Sequence, residues 1–318
     1  MEANIHLRMT VGIRASLFAC LLCIAGPAKA ADLKPEAVLA FERYVQLTEQ
    51  RMQTELPPNG AFLRVDSLPE ARRSETYTRL QRGEVIMGRL ETRDSAGHIR
   101  TPSALIHHWV GTIFIPGASL QQVLTLVRDY DHDQEYYKPE VAKSTTLEHT
   151  GDDFKVYLRL TRKKIITVVF DTEHEVHYEQ VDATRALSHS YSTRIVEVEH
   201  PGEPGESQMP LGQDHGFLWR LYSYWRFSET RQGVYVQCEA ISLTRDVPTG
   251  LDWLIGPFIE SIPKESLEFT LQSTRAAVLR KISHVSLSTD GGPAPRTFPE
   301  VFPYQAVLNF QKETGYDK

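Results

Sequence analysis

From about residue 141 to 245 the sequence keeps a period of two through six successive segments, and a long helical pattern then follows. The segments fall at about 141–149, 154–162, 165–178, 186–198, 216–228 and 234–245. Turn-rich links such as "HTGDD", "RKK" and "EQVDAT" separate them, with one longer link, "HPGEPGESQMPLGQDHG". Hairpin spacing of this kind makes successive strands antiparallel neighbours. Upstream, "EVIMGRLET" and "SALIHHWVGTIFIPG" read as two more strands around the turn-rich "RDSAGHIRTP". "GASLQQVLTLVRDYDHD" is helical, with Leu120, Val123, Leu124 and Val127 on one face. At the start, Pro35 opens a helix whose Val38, Phe41, Val45 and Met52 share a face, and Ser67 is placed to cap a second, shorter helix. Helices and strands are therefore segregated rather than alternating, which makes the fold class α+β. The nucleotide-binding glycine fingerprint of a doubly wound fold does not occur.

Residues 1–30 carry the pattern of a secretory signal peptide. Arg8 and Arg14 precede the apolar run "ASLFACLLCIAG", and Ala28-Lys29-Ala30 fits a small-residue cleavage site. The run is shorter than the roughly 20 apolar residues that a spanning helix needs, and no second run is long enough. Cleavage after Ala30 predicts a periplasmic or secreted protein. It removes three basic residues and one acidic residue, so the formal net charge moves from −6 to −8. That sign argues against nucleic acid and anionic membrane surfaces as main partners. Cys20 and Cys23 leave with the leader, and Cys238 alone cannot form an internal disulfide, so stability must come from a packed core.

The strand "GFLWRLYSYWRF" alternates sharply. Phe217, Trp219, Leu221, Ser223, Trp225 and Phe227 point one way, and Leu218, Arg220, Tyr222, Tyr224 and Arg226 the other. The next strand alternates Val234, Val236, Cys238 and Ala240 with Tyr235, Gln237 and Glu239. A register pairing like with like sets Trp219, Leu221 and Trp225 beside Val236, Cys238 and Ala240; the sequence leaves the register open. The strand at 165–178 has a matching apolar side that includes Phe170 and His174. Two arrangements fit this face: a core filled by the last helix, or a cavity under it. Normal close packing favours the filled one. A lone histidine such as His174 is more often a hydrogen-bonded core residue than a base, and Cys238 more often a small buried hydrophobe than a nucleophile.

The segments "GTIFIPGASLQQVLTLVRDYDHDQEYYKPEVAKSTTLEHTGDDFKVYLRL" and "GFLWRLYSYWRFSETRQGVYVQCEAISLTRDVPTGLDWLIGPFIESIPKESLEFTLQSTR" resemble START-like (SRPBCC, polyketide cyclase/dehydrase-type) proteins. The resemblance covers about residues 104–282 and lies in element order and character rather than in a catalytic motif. It implies a helix-grip fold, in which a curved antiparallel sheet wraps a long C-terminal helix around a deep cavity. It also implies a lipid or other hydrophobic molecule as ligand, with aromatase/cyclase-type enzymes among the relatives. The cavity lining it suggests is Trp219, Leu221, Trp225, Phe170, His174, Val236, Cys238, Phe258, Leu267 and Leu271. "PTGLDWLIGPFIESI" would form a bent segment at the mouth, hinged at Gly256-Pro257 and ended by Pro263, which would open the long helix. Leu267, Thr270, Leu271, Thr274 and Val278 would face the sheet. The expected organisation is a leader at 1–30, a helical extension at 31–66, the START-like domain at 67–282 and a tail at 283–318, in which "YQAVLNFQKE" reads as a short helix.

Catalytic patterns are sparse. There is no G-x-S-x-G, and "DYDHDQE" lacks the spacing and glycine of a calcium loop, so it reads as a solvated helix end. His107 and His108 alternate across their strand and cannot chelate one ion. No metal or cofactor is expected. In the alternative register Glu239, Arg159, Arg220 and Arg226 would meet inside and orient a polar head group or serve acid–base chemistry. In the like-with-like register they are surface charges of little worth. Three functions follow as alternatives: an exported binding protein for a hydrophobic molecule, a cyclase or hydrolase using His174 or Glu239, and an interaction protein with a filled core.

Overall fold

The computed structural model describes residues 33–57, 60–163, 166–211, 213–246 and 252–289, with backbone alone for 252–260 and 285–289. The leader and the tail helix expected at 304–313 lie outside these residues. In chain order the elements are α1 (Pro35–Glu55), a 3-10 turn (Arg64–Ser67), α2 (Glu70–Gln81), β1 (Ile86–Arg89), β2 (Arg93–Asp94), β3 (Gly97–His98) and β4 (Ala104–Pro116). Then come α3 (Leu120–Val127), a 3-10 turn (Tyr130–His132), α4 (Asp133–Tyr136), β5 (Val141–Thr150), β6 (Asp153–Lys163), β7 (Thr167–Gln180) and β8 (Arg185–Glu199). The last are β9 (Ser207–Gln208), β10 (Arg220–Thr230), β11 (Gly233–Arg245) and α5 (Asp252–Thr289). The chain divides into two units, Met1–Ile282 and Ser283–Lys318.

Nine strands form one antiparallel sheet in the order β1-β4-β11-β10-β8-β7-β6-β5, with β9 attached to β8. The long strands follow the period-two segments closely, because every link between them is a tight turn or the one long loop. Trp225 lies opposite Cys238, Phe227 opposite Val236 and Ser223 opposite Ala240, the register that pairs like with like. Directly opposed residues share a face, so one sheet face carries Leu221, Ser223, Trp225 and Phe227 beside Ser242, Ala240, Cys238 and Val236. α5 covers this face through Leu267, Leu271, Thr274, Ala277 and Val278, all buried. This is the α+β helix-grip arrangement of a START-like fold.

α5 and the sheet meet closely at Gly111. A Cβ there would lie 2.4 Å from Cδ1 of Leu271 and 2.7 Å from Sδ of Met87, so any larger residue would force these two side chains to move. α5 is one helix of 38 residues. The expected break at Gly256-Pro257 and the fresh start at Pro263 do not occur. An interior proline removes one backbone hydrogen bond and costs about 3 kcal/mol, and the buried stripe from Leu267 to Val278 holds the helix regardless. Ser67 is likewise not a cap: it closes the 3-10 turn by donating to the Arg64 carbonyl, and Pro69 precedes α2.

The opposite face of the sheet is covered too. α1 buries Ala37, Phe41, Tyr44, Val45, Thr48 and Met52, spaced at one helix face, against Tyr224, Ile241 and Leu243 of the outer sheet face. β11 is therefore buried along nearly its whole length, from both sides.

Candidate functional site

Between the inner sheet face and α5 lies a cavity of about 540 Å³. Its walls are mostly apolar, with Trp109, Trp225, Phe170, Phe217, Phe227 and Phe269 the bulkiest apolar contributors. One end opens to solvent: Ile166 and Phe217 line it yet stay 57% and 39% exposed. Cross-strand register places Arg162 of β6, Val168 of β7, Leu218 before β10 and Arg245 of β11 at this same end. Arg162 stands 2.8 Å from Glu140, which lies beside the end of β6, an ion pair by distance although the Glu140 oxygen makes no directed hydrogen bond. Burial pushes the Glu140 carboxyl up to about 7, against the pull of Arg162. The mouth is therefore a charged rim around greasy walls.

The other end is polar without being charged. Tyr178 lies opposite Ser188, and Trp225 opposite both Ser188 and Cys238, in one cross-strand row. Tyr178 donates to the Val127 carbonyl, and Tyr130 and Tyr178 hydroxyls stand 2.8 Å apart. Tyr137 and Thr274 hydroxyls meet at 3.0 Å, and Thr274 donates onward to the Thr270 carbonyl. Asp133, only 6% exposed, also lines this end. Burial, and then Asp129 and Asp131, hold its carboxyl well above the usual carboxylate range. Midway along the wall His174 meets Thr172 at 3.1 Å and Ser190 at 3.5 Å, and burial pushes its ring down to about 4. Burial, followed by Glu239, raises the Cys238 thiol well above its ordinary value, so no thiolate nucleophile is available.

Of the residues read from the sequence as cavity lining, Leu221, Trp225, Phe170, His174, Cys238 and Leu267 line it. Val236 and Leu271 are fully buried on the same face, in its packed part. The Phe258 side chain lies outside the described residues. Trp219 is a correction. β10 begins one residue after it, so its parity does not set its side; it packs with Phe41, Tyr224 and Leu243, and its indole donates to Asp214 at 3.1 Å.

The four charged residues are also corrections, because none lies in the cavity. Arg159 pairs with Asp171 at 2.8 Å, and Arg220 donates to the Trp219 carbonyl. Glu239 and Arg226 are neither inside the cavity nor on the surface. They are buried on the outer face under α1 and the segment that follows it. Glu239 accepts from His108 Nε2 at 2.7 Å and from Arg51. The Thr92 amide donates to the Tyr44 hydroxyl oxygen, which stands 2.9 Å from His108 Nδ1. Arg226 pairs with Glu55 at 2.7 Å and donates to the Phe62 carbonyl. Burial opposes ionisation of Glu239, yet His108, Arg51 and Arg226 outweigh it and hold its pKa below the ordinary value. The catalytic alternative thus keeps one of its two groups in the cavity: His174, a neutral ring held by hydroxyls. Among the described residues no cluster of His, Cys, Asp or Glu could hold a metal ion.

Glu140, Arg162 and Arg245 were not picked out from the sequence, and Asp133 was read only as part of a solvated helix end, which its 6% exposure corrects. A signal for Asp133 exists: Tyr130, Asp133 and Tyr137 sit three and four residues apart, the spacing of one helical face.

No protein-family model and no curated protein matches the sequence. Solved structures similar in fold include a STAR-related lipid transfer protein fragment from Xanthomonas axonopodis, at 16% identity over 60% of this chain and 98% of that chain, TM-score 0.39. The Zhui aromatase/cyclase from a Streptomyces species is 10% identical over 56% of this chain and 96% of that one, TM-score 0.40. Human STARD10 is 10% identical over 72% of this chain and 91% of that one, TM-score 0.38. At these identities and scores the similarities say nothing about ligand or chemistry.

Proposed function

We propose that the protein binds a lipid or other hydrophobic small molecule in the cavity under α5. The observation that carries this reading is the cavity itself: about 540 Å³ of mostly apolar space with one open end. That volume lies within the range of ligand sites, about 300–1,000 Å³, and too much for a filled-core interaction protein. Each methylene withdrawn from water contributes about 0.8 kcal/mol, so a chain of ordinary length binds without a dedicated ionic contact. Export is part of the proposal and rests on the leader pattern of residues 1–30. Among the described residues no helix is long and apolar enough to cross a membrane.

The test is native mass spectrometry of the protein recovered from the periplasm or medium, followed by solvent extraction and identification of what leaves. A bound hydrophobic species is expected, and Trp225→Ala should weaken its retention. Empty protein that also binds nothing from a lipid panel counts against the reading. A chain starting at Met1 in the cell pellet, instead of near Ala31, counts against export.

A further inference from the structure

We infer that Asp133 is the polar anchor of the cavity, donating a hydrogen bond to an uncharged oxygen of the ligand, a hydroxyl or a carbonyl, buried at the closed end. This rests on the ligand reading above and narrows it to hydrophobic molecules that carry a neutral oxygen function at their leading end.

The geometry comes first. Asp133 opens α4, is 6% exposed, and faces the cavity. Its backbone carbonyl accepts from the Tyr137 amide, but no hydrogen bond reaches its carboxyl among the described residues. The groups around it cannot supply one. Tyr178 donates to Val127, so the proton shared between Tyr130 and Tyr178 belongs to Tyr130. Thr274 donates to Thr270, so Tyr137 donates to Thr274. All three nearby phenol protons are therefore committed elsewhere. The remaining charges do not help: Asp129 and Asp131 repel a negative Asp133, and Lys281 is engaged by Asp129. Arg128 lies over the Tyr178 ring and pairs with Asp152.

A buried carboxyl without donor or cation holds its proton. In that state it is a strong donor without a hydrogen-bond partner among the described residues, lining the uncharged end of the cavity. Ser188, Ser190 and neutral His174 add further uncharged polar groups along the same wall. Among the described residues, every charged lining residue other than Asp133 sits at the mouth, where Arg162, Arg245 and Glu140 are found. A carboxylate or phosphate at the inner end would bury its charge where no described lining residue is a cation. An ammonium would have to bury a charge at a cost of several kcal/mol. A neutral oxygen accepts from Asp133 at no such cost.

The experiment is competition of 1-decanol, decylamine, decanoate and decane against a fluorescent dye held in the cavity, at pH 7. Decanol should bind tightest. Asp133→Leu should weaken decanol by about tenfold, one lost hydrogen bond, and leave decane unchanged; Asp133→Asn should keep most of the decanol affinity, since an amide also donates. Unchanged decanol binding in Asp133→Leu overturns the assignment. Preference for decylamine, lost in Asp133→Asn, overturns it in favour of an ionised counter-ion. Failure of all four probes, decane included, overturns the cavity reading itself. Independently of any ligand, infrared spectra at pH 7 should show a protonated-carboxyl band that Asp133→Asn removes, and its absence from the wild type refutes the inference.

Discussion

Replacing Glu239 with alanine tests whether α1 is held to the sheet by the buried ion network. Glu239 is 2% exposed and joins His108 and Arg51, while Glu55 joins Arg51 and Arg226. Two carboxylates thus balance two guanidiniums. Without Glu239 one guanidinium charge is uncompensated, and the Nε2–H of His108 loses its acceptor. Breaking a buried pair from one side costs about 3–5 kcal/mol. Arg51 is 31% exposed and can regain water, so the cost should fall near the lower figure, about 3 kcal/mol. With a urea slope of about 3 kcal/mol per molar, the midpoint should drop by about 1 M. Removing the partner charge as well, in Glu239→Leu with Arg51→Met, should recover much of that loss, which a double-mutant cycle measures. Ligand affinity should not change, because the network and the cavity lie on opposite faces of the sheet. A loss under 1 kcal/mol, or an affinity that falls with stability still intact, refutes this account.

Two further outcomes concern stability. Gly111→Ala should destabilise by about 1–3 kcal/mol, as the new Cβ crowds the Leu271 and Met87 side chains out of their packed positions. Gly88→Ala, whose new Cβ would lie 3.5 Å from Val110, should stay within about 0.5 kcal/mol; equal losses in urea unfolding would remove Gly111's special role. His107 and His174 both titrate near 4 in the fold, lowered by burial, against 6.5 in an unfolded chain. The unfolded state therefore takes up protons first. The stability held by these two rings is complete above about pH 6.5 and is lost as pH falls toward 4. Urea midpoints should drop over that window, less steeply in His174→Asn, and equal slopes for variant and wild type would contradict the burial of His174.

Much of the inner face was legible before any coordinates. Leu221, Trp225, Phe170, His174 and Leu267 follow from period-two and period-3.6 patterns, since parity along a strand or helix sets the side on which a residue lies. The hairpin register was not legible: period two sets which residues share a side within one strand, and only the observed pairing of Trp225 with Cys238 selects like with like. Trp219 marks where parity stops being informative, one residue before the strand begins. The signal for Asp133 was present in its spacing from Tyr130 and Tyr137, but the surrounding acidic residues read as a solvated helix end.

By itself the sequence determined the segregation of helices from strands, the pairing of neighbours and the composition of each strand face. These are local properties, carried by periodicity and turn chemistry. Only the tertiary structure decided what lies against each face. α1 folds over the outer side, so Glu239 and Arg226, polar by pattern and expected in water, became a buried network. α5 packs over Gly111 yet leaves space beside Trp225, so an apolar face became a cavity wall. A side chain's direction is written in its own strand, whereas its surroundings depend on elements far away in the chain, and no local pattern encodes that distance.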